Sequence, residues 1–553
     1  PCTVTRIVRR AIGLLAMFGL AVSGSARSLE QVELTGTICD GNAPIAGASV
    51  SIPGTTLFTT ADSSGRFTLA LPASSRATHL VASAPGYYIG GTIAIPSNGD
   101  VVISLRPHAS EDNPRYEWLS ALAASGNEKA CETCHYDARD PSLRLFEEWR
   151  ADAHSRSATN PRFLSMYRGT DLAGRSTAST RFVSRPDYGR FPIGPDPRGV
   201  DYGPGFELDF PHIAGNCAAC HAPADAIRAP YATRPHELTP VGREGVTCDV
   251  CHKIVAVRTN AATGAPYENT PGVTSFEFRR PPDGAQFFAG PYDDVDVGVD
   301  VHSPLHRESL FCAPCHQGSF WSARIYDSFG EWQKSQYADR SFEAAASCQG
   351  CHMPRGASDH VARFEEGARL RDPAEVATHR MLGAGDAEFV ASAATLSIDA
   401  QRDGEVIEVK VDVRNARAGH HLPTDSPLRH IILAVRTRDA RGRDLALSSG
   451  PVLPAWTGAF ARQPGRVFAK VLRDLWADQE PTGAYWRPVR LVADTRIPAL
   501  GSDISHYRFT APDGAAAFID VQLIYRRAFE DLARAKGWQD SDIVMQARRI
   551  RVP

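Results

Sequence analysis

The sequence predicts a multi-domain chain: an N-terminal β-sandwich, a central lobe with short helices and little regular structure packed around cofactors, and a C-terminal β-sandwich-like domain. Three observations carry this. Residues 29–106 alternate apolar and polar positions with period two between turn residues, and residues 393–553 return to the same alternation. Between them, residues 107–392 hold ten of the chain's 12 cysteines in one recurring motif and show little periodicity of either kind.

In the first block VELTGTI, ASVSI, RFTLAL, HLVASA, GTIAI and DVVISL are separated by DGN, DSSG, APG and SNGD, the punctuation of a small β-sandwich. Cys39, in the strand-like VELTGTICD, reads as a small buried core residue rather than a ligand. The order GTICDGNAPIAGASVSIPG, then TTADSSGRFTLALP, then a strand ending in APGYY resembles the carboxypeptidase regulatory-like domains. That resemblance implies a non-catalytic accessory used for structure or docking.

Ahead of it, residues 1–28 read as a signal peptide. Arg6, Arg9 and Arg10 precede an apolar run from Ala11 to Val22, and small residues follow to about Ala26. The run is shorter than the ~20 residues that span a bilayer. No later segment is a transmembrane candidate, and no cysteine follows the run where a lipid-anchored signal would place one. The expected location is therefore outside the cytoplasm, periplasmic or at the cell surface.

The recurring motif is CxxCH: CETCH at 131–135, CAACH at 217–221, CDVCH at 248–252, CAPCH at 312–316 and CQGCH at 348–352. This spacing reads as covalent attachment of heme c, the two thiols bonding the ring and the histidine after them becoming the proximal iron ligand. Paired CxxC knuckles can also hold zinc, but zinc has no need of a histidine directly after the second cysteine. Five hemes follow, anchored at Cys131 and Cys134, Cys217 and Cys220, Cys248 and Cys251, Cys312 and Cys315, and Cys348 and Cys351. Their proximal ligands are His135, His221, His252, His316 and His352.

The heme reading also accounts for the long stretches without periodicity, from Arg168 to Arg243 and from Asn260 to Asp300, which would otherwise count against a compact domain. Porphyrins supply apolar interior that regular elements would otherwise provide. One helix is readable, Leu143 to Ser157, with Leu143, Phe146, Ala153 and His154 on one face. Its EWRADAHSRS, starting at Glu148, is echoed by EWQKSQYADRS, starting at Glu331, each at a similar distance after a CxxCH. His154 aligns with Tyr337, so a two-heme unit duplicated with one ligand position reassigned is expected.

GNCAACHAP, EGVTCDVCHKI, SCQGCHMP and AGHHLPTD together resemble the multiheme cytochromes related to the tetraheme electron acceptor of hydroxylamine oxidoreductase, from about Glu128 to about Pro423. The resemblance implies mostly bis-histidine hemes in closely packed pairs. By short separation the expected pairs are the sites at 217 and 248 and those at 312 and 348. It implies distal ligands at His154, His379 and His420, at His302 with His306 as competitor, and at His212 with His236 as competitor. Met353 and Met381 sit in no matching motif, so low-potential bis-histidine hemes are expected.

The last block reads as strands in TLSIDAQ, EVIEVKVDVRN, RHIILAVRTRD and AAFIDVQLIYRR. If His420 ligates an iron, its first long loop reaches into the heme lobe. With 60 Lys and Arg against 63 Asp and Glu, a net charge of −3 gives no reason to expect a nucleic-acid partner. Two function classes follow. The first is an electron carrier serving other cytochromes or redox proteins, with self-assembly or an outer-membrane electron-transfer complex as further expectations. The second is a reductase of a small nitrogen or sulfur compound at one open iron, although the CxxCK that often marks such an iron is absent.

Overall fold

The computed structural model describes residues 31–72, 77–123, 129–187, 189–193, 196, 198–295, 298–321, 323–511 and 516–553. The expected signal peptide at 1–28 lies outside the described residues.

Seven strands form the first block: β1 (Gln31–Cys39), β2 (Ser49–Ser51), β3 (Phe58–Thr60), β4 (Arg66–Pro72), β5 (Thr78–Ser83), β6 (Gly90–Ala94) and β7 (Val101–Ser104). They make two sheets, β4-β1-β7 and β3-β2-β5-β6. β1 runs antiparallel to β4 and parallel to β7. The period-two pattern puts Leu34, Ile38, Phe67 and Leu69 of one sheet against Val50, Leu80 and Ala94 of the other in one buried core. Cys39 is buried at the end of β1. Gly36 of β1 is glycine for a packing reason: a Cβ there would stand 2.4 Å from Val101 O and 2.6 Å from the Phe67 ring.

The C-terminal block contains β8 (Ala394–Asp403), β9 (Val406–Asn415), β10 (His430–Asp439), β11 (Ala446–Ser449), β12 (Gly465–Asp474), β13 (Val489–Asp494), β14 (Ser502–Thr510), β15 (Ala517–Arg526) and β16 (Ile543–Val552). Its sheets are β8-β9-β14-β11 and β13-β12-β10-β15-β16. Val409, Val411 and Phe509 of the first meet Ile431, Leu433, Val521 and Leu523 of the second in the largest core. β10 is buried on both faces over most of its length. Its outer residue Ile432 packs with Leu453 and Ile524 in a second small cluster.

The middle of the chain is loops, two-stranded pieces and helices of four to eight residues. Each CxxCH starts or forms one short helix: Cys131–His135, Ala218–His221, Cys248–Cys251, Ala313–His316 and Cys348–His352. Side chains cap two of them, Thr247 accepting from Val250 N and Ser347 from Gly350 N. The expected helix from Leu143 to Ser157 is shorter, Leu145–Ala151, followed by a 3-10 turn at His154–Arg156. Asp152 ends it: its carboxylate accepts from His154 N at 2.8 Å and meets His154 Nδ1 at 2.7 Å, a local alternative to the helical ladder. Leu143 and Phe146 are buried as the pattern implied.

Polar contacts bind both sheet blocks to the lobe. Arg371 pairs with Asp294, whose Oδ2 also accepts from Gly54 N of the first block. At the other end Asp209 of the lobe accepts from Trp486 Nε1 and Arg487, both at 2.7 Å. Lys536 is fully buried and donates to the carbonyls of Ser165, Thr170 and Pro204.

Candidate heme-binding site

The five motif histidines share one local arrangement. In each, Nδ1 lies against an oxygen acceptor: Val361 O at 2.6 Å for His135, Ser157 O at 3.0 Å for His221, Ala289 O at 2.7 Å for His252, Leu382 O at 2.5 Å for His352, and Asp425 Oδ2 at 3.1 Å for His316. A ring whose Nδ1–H is held this way has Nε2 as its ligating nitrogen, in the neutral tautomer a metal needs. Burial lowers the pKa of His135 and His221 and brings His252 and His352 down to about 4, so these rings are neutral at neutral pH. His316 differs. Burial pushes it down, but the hydrogen bond and charge of Asp425 together outweigh burial and hold it up at about 9.

Three of the five candidate distal histidines face a motif histidine. The ring centres of His154 and His316 are 6.2 Å apart, those of His379 and His252 6.5 Å, and those of His420 and His352 6.2 Å. Two imidazole–metal bonds of about 2 Å, with each ring centre about 1 Å beyond its nitrogen, separate such centres by roughly 6 Å. These pairs therefore fit an iron held from both sides. The first pair is steeply inclined at 64°, and the other two are nearly parallel at 18° and 19°. Among the described residues no three or more of His, Cys, Asp and Glu converge on one point; the donors come as histidine pairs.

Of the remaining candidates only His306 stacks on a motif histidine, and that histidine is His252, which His379 also faces. His302 is partly buried in the short strand Asp300–His302, and burial lowers its pKa. Its competitor His306 stacks 5.6 Å from His252 at 17°, with Nε2 3.2 Å from Cys251 O. His212 is exposed. Its competitor His236 is partly buried, 5.9 Å from the Tyr167 ring. The ring neighbour of His221 is Phe163, stacked at 3.7 Å and 4°.

The repeat seen in the sequence is also a repeat of contacts. Glu148 Oε2 accepts from His379 N at 2.9 Å, and Glu331 Oε2 accepts from His421 N at 3.1 Å, beside His420. Trp149 Nε1 donates to Val246 O at 2.9 Å, and Trp332 Nε1 to Ala346 O at 2.8 Å. Each of those carbonyls lies two residues before a CxxCH. So in both copies the glutamate steadies the loop carrying a distal candidate, and the tryptophan ties down the next motif. His154 and Tyr337 hold equivalent 3-10 turns, and Tyr337 is buried with its hydroxyl donating to Ala416 O at 3.4 Å.

The same clamps explain which motifs are neighbours. Cys248 lies beside Cys131 against one small cluster, and Cys312 beside Cys348, each pair close enough to shift the thiol pKa values. Cys315 meets Cys220. The expected pairing of 312 with 348 agrees with these contacts; of the expected 217 and 248 pair, Ala218, Ala219 and Val250 share one buried cluster, against which Cys315 also packs. Trp149 ties the 248 motif close to the 131 motif, and the 217 motif packs with both the 248 and the 312 motifs.

Several contributors were not singled out from the sequence. Asp425, in the AGHHLPTD stretch, also accepts from Ser328 Oγ at 2.8 Å and lies 3.9 Å from Arg429. Tyr326 and Tyr485 hydrogen-bond hydroxyl to hydroxyl, and burial raises both pKa values, with Cys217 close enough to add to the shift.

The chain is similar in fold to a penta-heme cytochrome c552 from Thermochromatium tepidum, at 18% identity over 76% of this chain and 97% of that one, with a TM-score of 0.51. An Fcho1 Mu homology domain from Danio rerio (13% identity, 30% of this chain, 50% of that chain, TM-score 0.13) and a PapD-like domain of human CEP192 (8%, 30%, 84%, TM-score 0.11) match too weakly to bear on the fold. No protein-family model matches the chain, and no curated protein does.

Proposed function

We propose that this chain is an exported c-type cytochrome that carries five covalent hemes, mostly bis-histidine, and passes electrons among them and to other cytochromes or redox proteins. The observation that carries the reading is the common hydrogen bonding of the five CxxCH histidines, each with Nδ1 held and Nε2 left as donor. The fold shared with a penta-heme cytochrome supports it. Bound heme c supplies a one-electron couple. The chain's part is to fix position and tune the environment. Two cysteine thiols and a histidine would hold each ring, and His154, His379 and His420, which face His316, His252 and His352, would supply second ligands. His302, and His212 or His236, are proposed for the other two, while His306, stacked on His252, competes with His379 for that iron.

The anchor contacts outline the route. The 131 motif touches 248, Cys251 senses Cys315, and the 312 motif also touches 220 and 348. The 312 motif is thus the junction of the set. The two sheet blocks would serve docking and assembly, whether with further copies or in an outer-membrane complex. The test is rapid mixing of the holoprotein with a reduced and then an oxidised cytochrome. Fast reduction and reoxidation with no binding of carbon monoxide or nitrite is expected; slow exchange in both directions refutes the carrier reading.

One observation favours the second reading, a reductase of a small nitrogen or sulfur compound at the 217 motif. Among the described residues His221 has Phe163 rather than a histidine as ring neighbour, and the partly buried Tyr326–Tyr485 hydroxyl pair lies near Cys217. A high-spin heme that binds nitrite quickly and turns it over would select this reading.

A further inference from the structure

A cleft of about 620 Å³ opens between the heme lobe and the edge formed by β12 and β13. Its size falls among small-molecule sites, which run from about 300 to 1,000 Å³. Five cationic side chains and three carboxylates line it, an excess of two positive charges. The carboxylates are largely committed. Arg496 donates to Glu331 Oε1 at 2.6 Å and grips Asp494 at 2.7 and 2.8 Å. Glu331 Oε2 also accepts from His421 N and Thr424 Oγ1. Asp327 stands 3.7 Å from Arg324, which bonds Glu268 as well.

Three cations are left over. Lys470 is buried, 5% exposed, and its ammonium donates to the carbonyls of Arg324 at 3.0 Å and Ile325 at 3.1 Å. An ammonium has three N–H donors, so one remains. Lys334 and Arg490 stand exposed on the rim. Among the described residues none of the three has a carboxylate partner. Lys470 hydrogen-bonds only neutral carbonyls, and Asp327, Glu331 and Asp494 reach it only through space while two of them are gripped by Arg496; with two exposed cations above it, the cleft keeps its excess of positive charge.

We propose that this cleft binds a small anion presenting a carboxylate, sulfate or phosphate group to Lys470, with Lys334 and Arg490 closing over it. The site also reaches the redox machinery. His421 lines the cleft and follows His420 in the chain. If His420 ligates an iron, which rests on the function proposed above, a bound anion adds negative charge beside that iron and makes it harder to reduce.

The test is calorimetric titration of the full-length holoprotein with inorganic phosphate, sulfate and succinate, ionic strength being held with chloride. Saturable 1:1 binding of at least one of them is expected, weakened at least tenfold in the double variant Lys334→Ala, Arg490→Ala, whose exposed side chains carry no fold contacts. Lys470→Met should abolish it; because that change strands two carbonyls, the rim variant decides the matter if Lys470→Met does not fold. No saturable binding, or unchanged affinity in the rim variant, overturns the site. A spectroelectrochemical titration with the bound anion should lower one midpoint potential. Saturable binding with no shift would keep the anion site and refute its coupling to the His420 iron.

Discussion

Replacing Asp425 by asparagine should raise the reduction potential of the heme attached at Cys312 and Cys315. Asp425 is the one carboxylate among the five oxygen acceptors on motif histidines, 3.1 Å from His316 Nδ1. A carboxylate in that position makes the imidazole a stronger donor and stabilises the oxidised iron. Burial opposes its ionisation, yet the hydrogen bond and charge of His316, with Arg429 and Ser328, keep it well below the ordinary carboxyl value. It is therefore charged at neutral pH. Removing a unit charge roughly 7 Å from the iron, at an effective dielectric of about 20, is worth about 2.4 kcal/mol. For one electron that is about 100 mV. Arg429, 3.9 Å from the same oxygen, offsets part of it, so an upward shift of about 50 to 100 mV is expected. Asparagine retains the acceptor oxygen, so the ligand should stay in place. Spectroelectrochemical titration of the variant beside Asp444→Asn, a change at the exposed Arg436 pair, isolates the effect. A component that does not move, or that moves down while all hemes stay low-spin, would refute the reasoning.

His420→Ala should leave one heme high-spin and the others unchanged by electron paramagnetic resonance; five low-spin signals would remove the C-terminal block from the ligand set. Glu148→Ala removes the buried acceptor for His379 N, a loss of about 1–3 kcal/mol in denaturant unfolding; Glu331→Ala, its counterpart in the repeat, should cost more, because Glu331 also accepts from Arg496 and Thr424, and a smaller cost would refute the comparison. Burial brings Lys536 down to about 8 from an ordinary 10.5. Between those values the unfolded chain holds a proton that the folded chain has shed, so stability should rise with pH from 8 to 10.5 and be lost as pH falls through 8. Urea midpoints across that window should show the slope, and Lys536→Met should flatten it.

The two sheet blocks were legible because their strands have one buried face, and alternation at β9 or β4 reports that directly. β10 was read as an alternating strand with the others, and the structure instead covers both its faces over most of its length. The CxxCH motifs point to the proposed anchors and proximal ligands because covalent attachment would constrain residues adjacent in sequence. Neighbour relations between motifs are not constrained that way. Where the 248 motif sits depends on how Trp149 ties Val246, a contact between residues 97 apart. The helix expected over 143–157 was overcalled because hydrophobic spacing does not register that Asp152 turns its carboxylate back on His154. Asp425 was in view within AGHHLPTD, but its partner lies 109 residues away. The EW repeat was the one long-range signal in the sequence, and its glutamates and tryptophans hold equivalent contacts.

The central claim, five hemes held by thioethers, is tested most directly by the intact mass of the purified protein after denaturation. The account predicts the polypeptide mass plus five heme increments, with no heme released into acidic organic solvent. Three increments, extractable heme, or zinc retained at the CxxC pairs would contradict it.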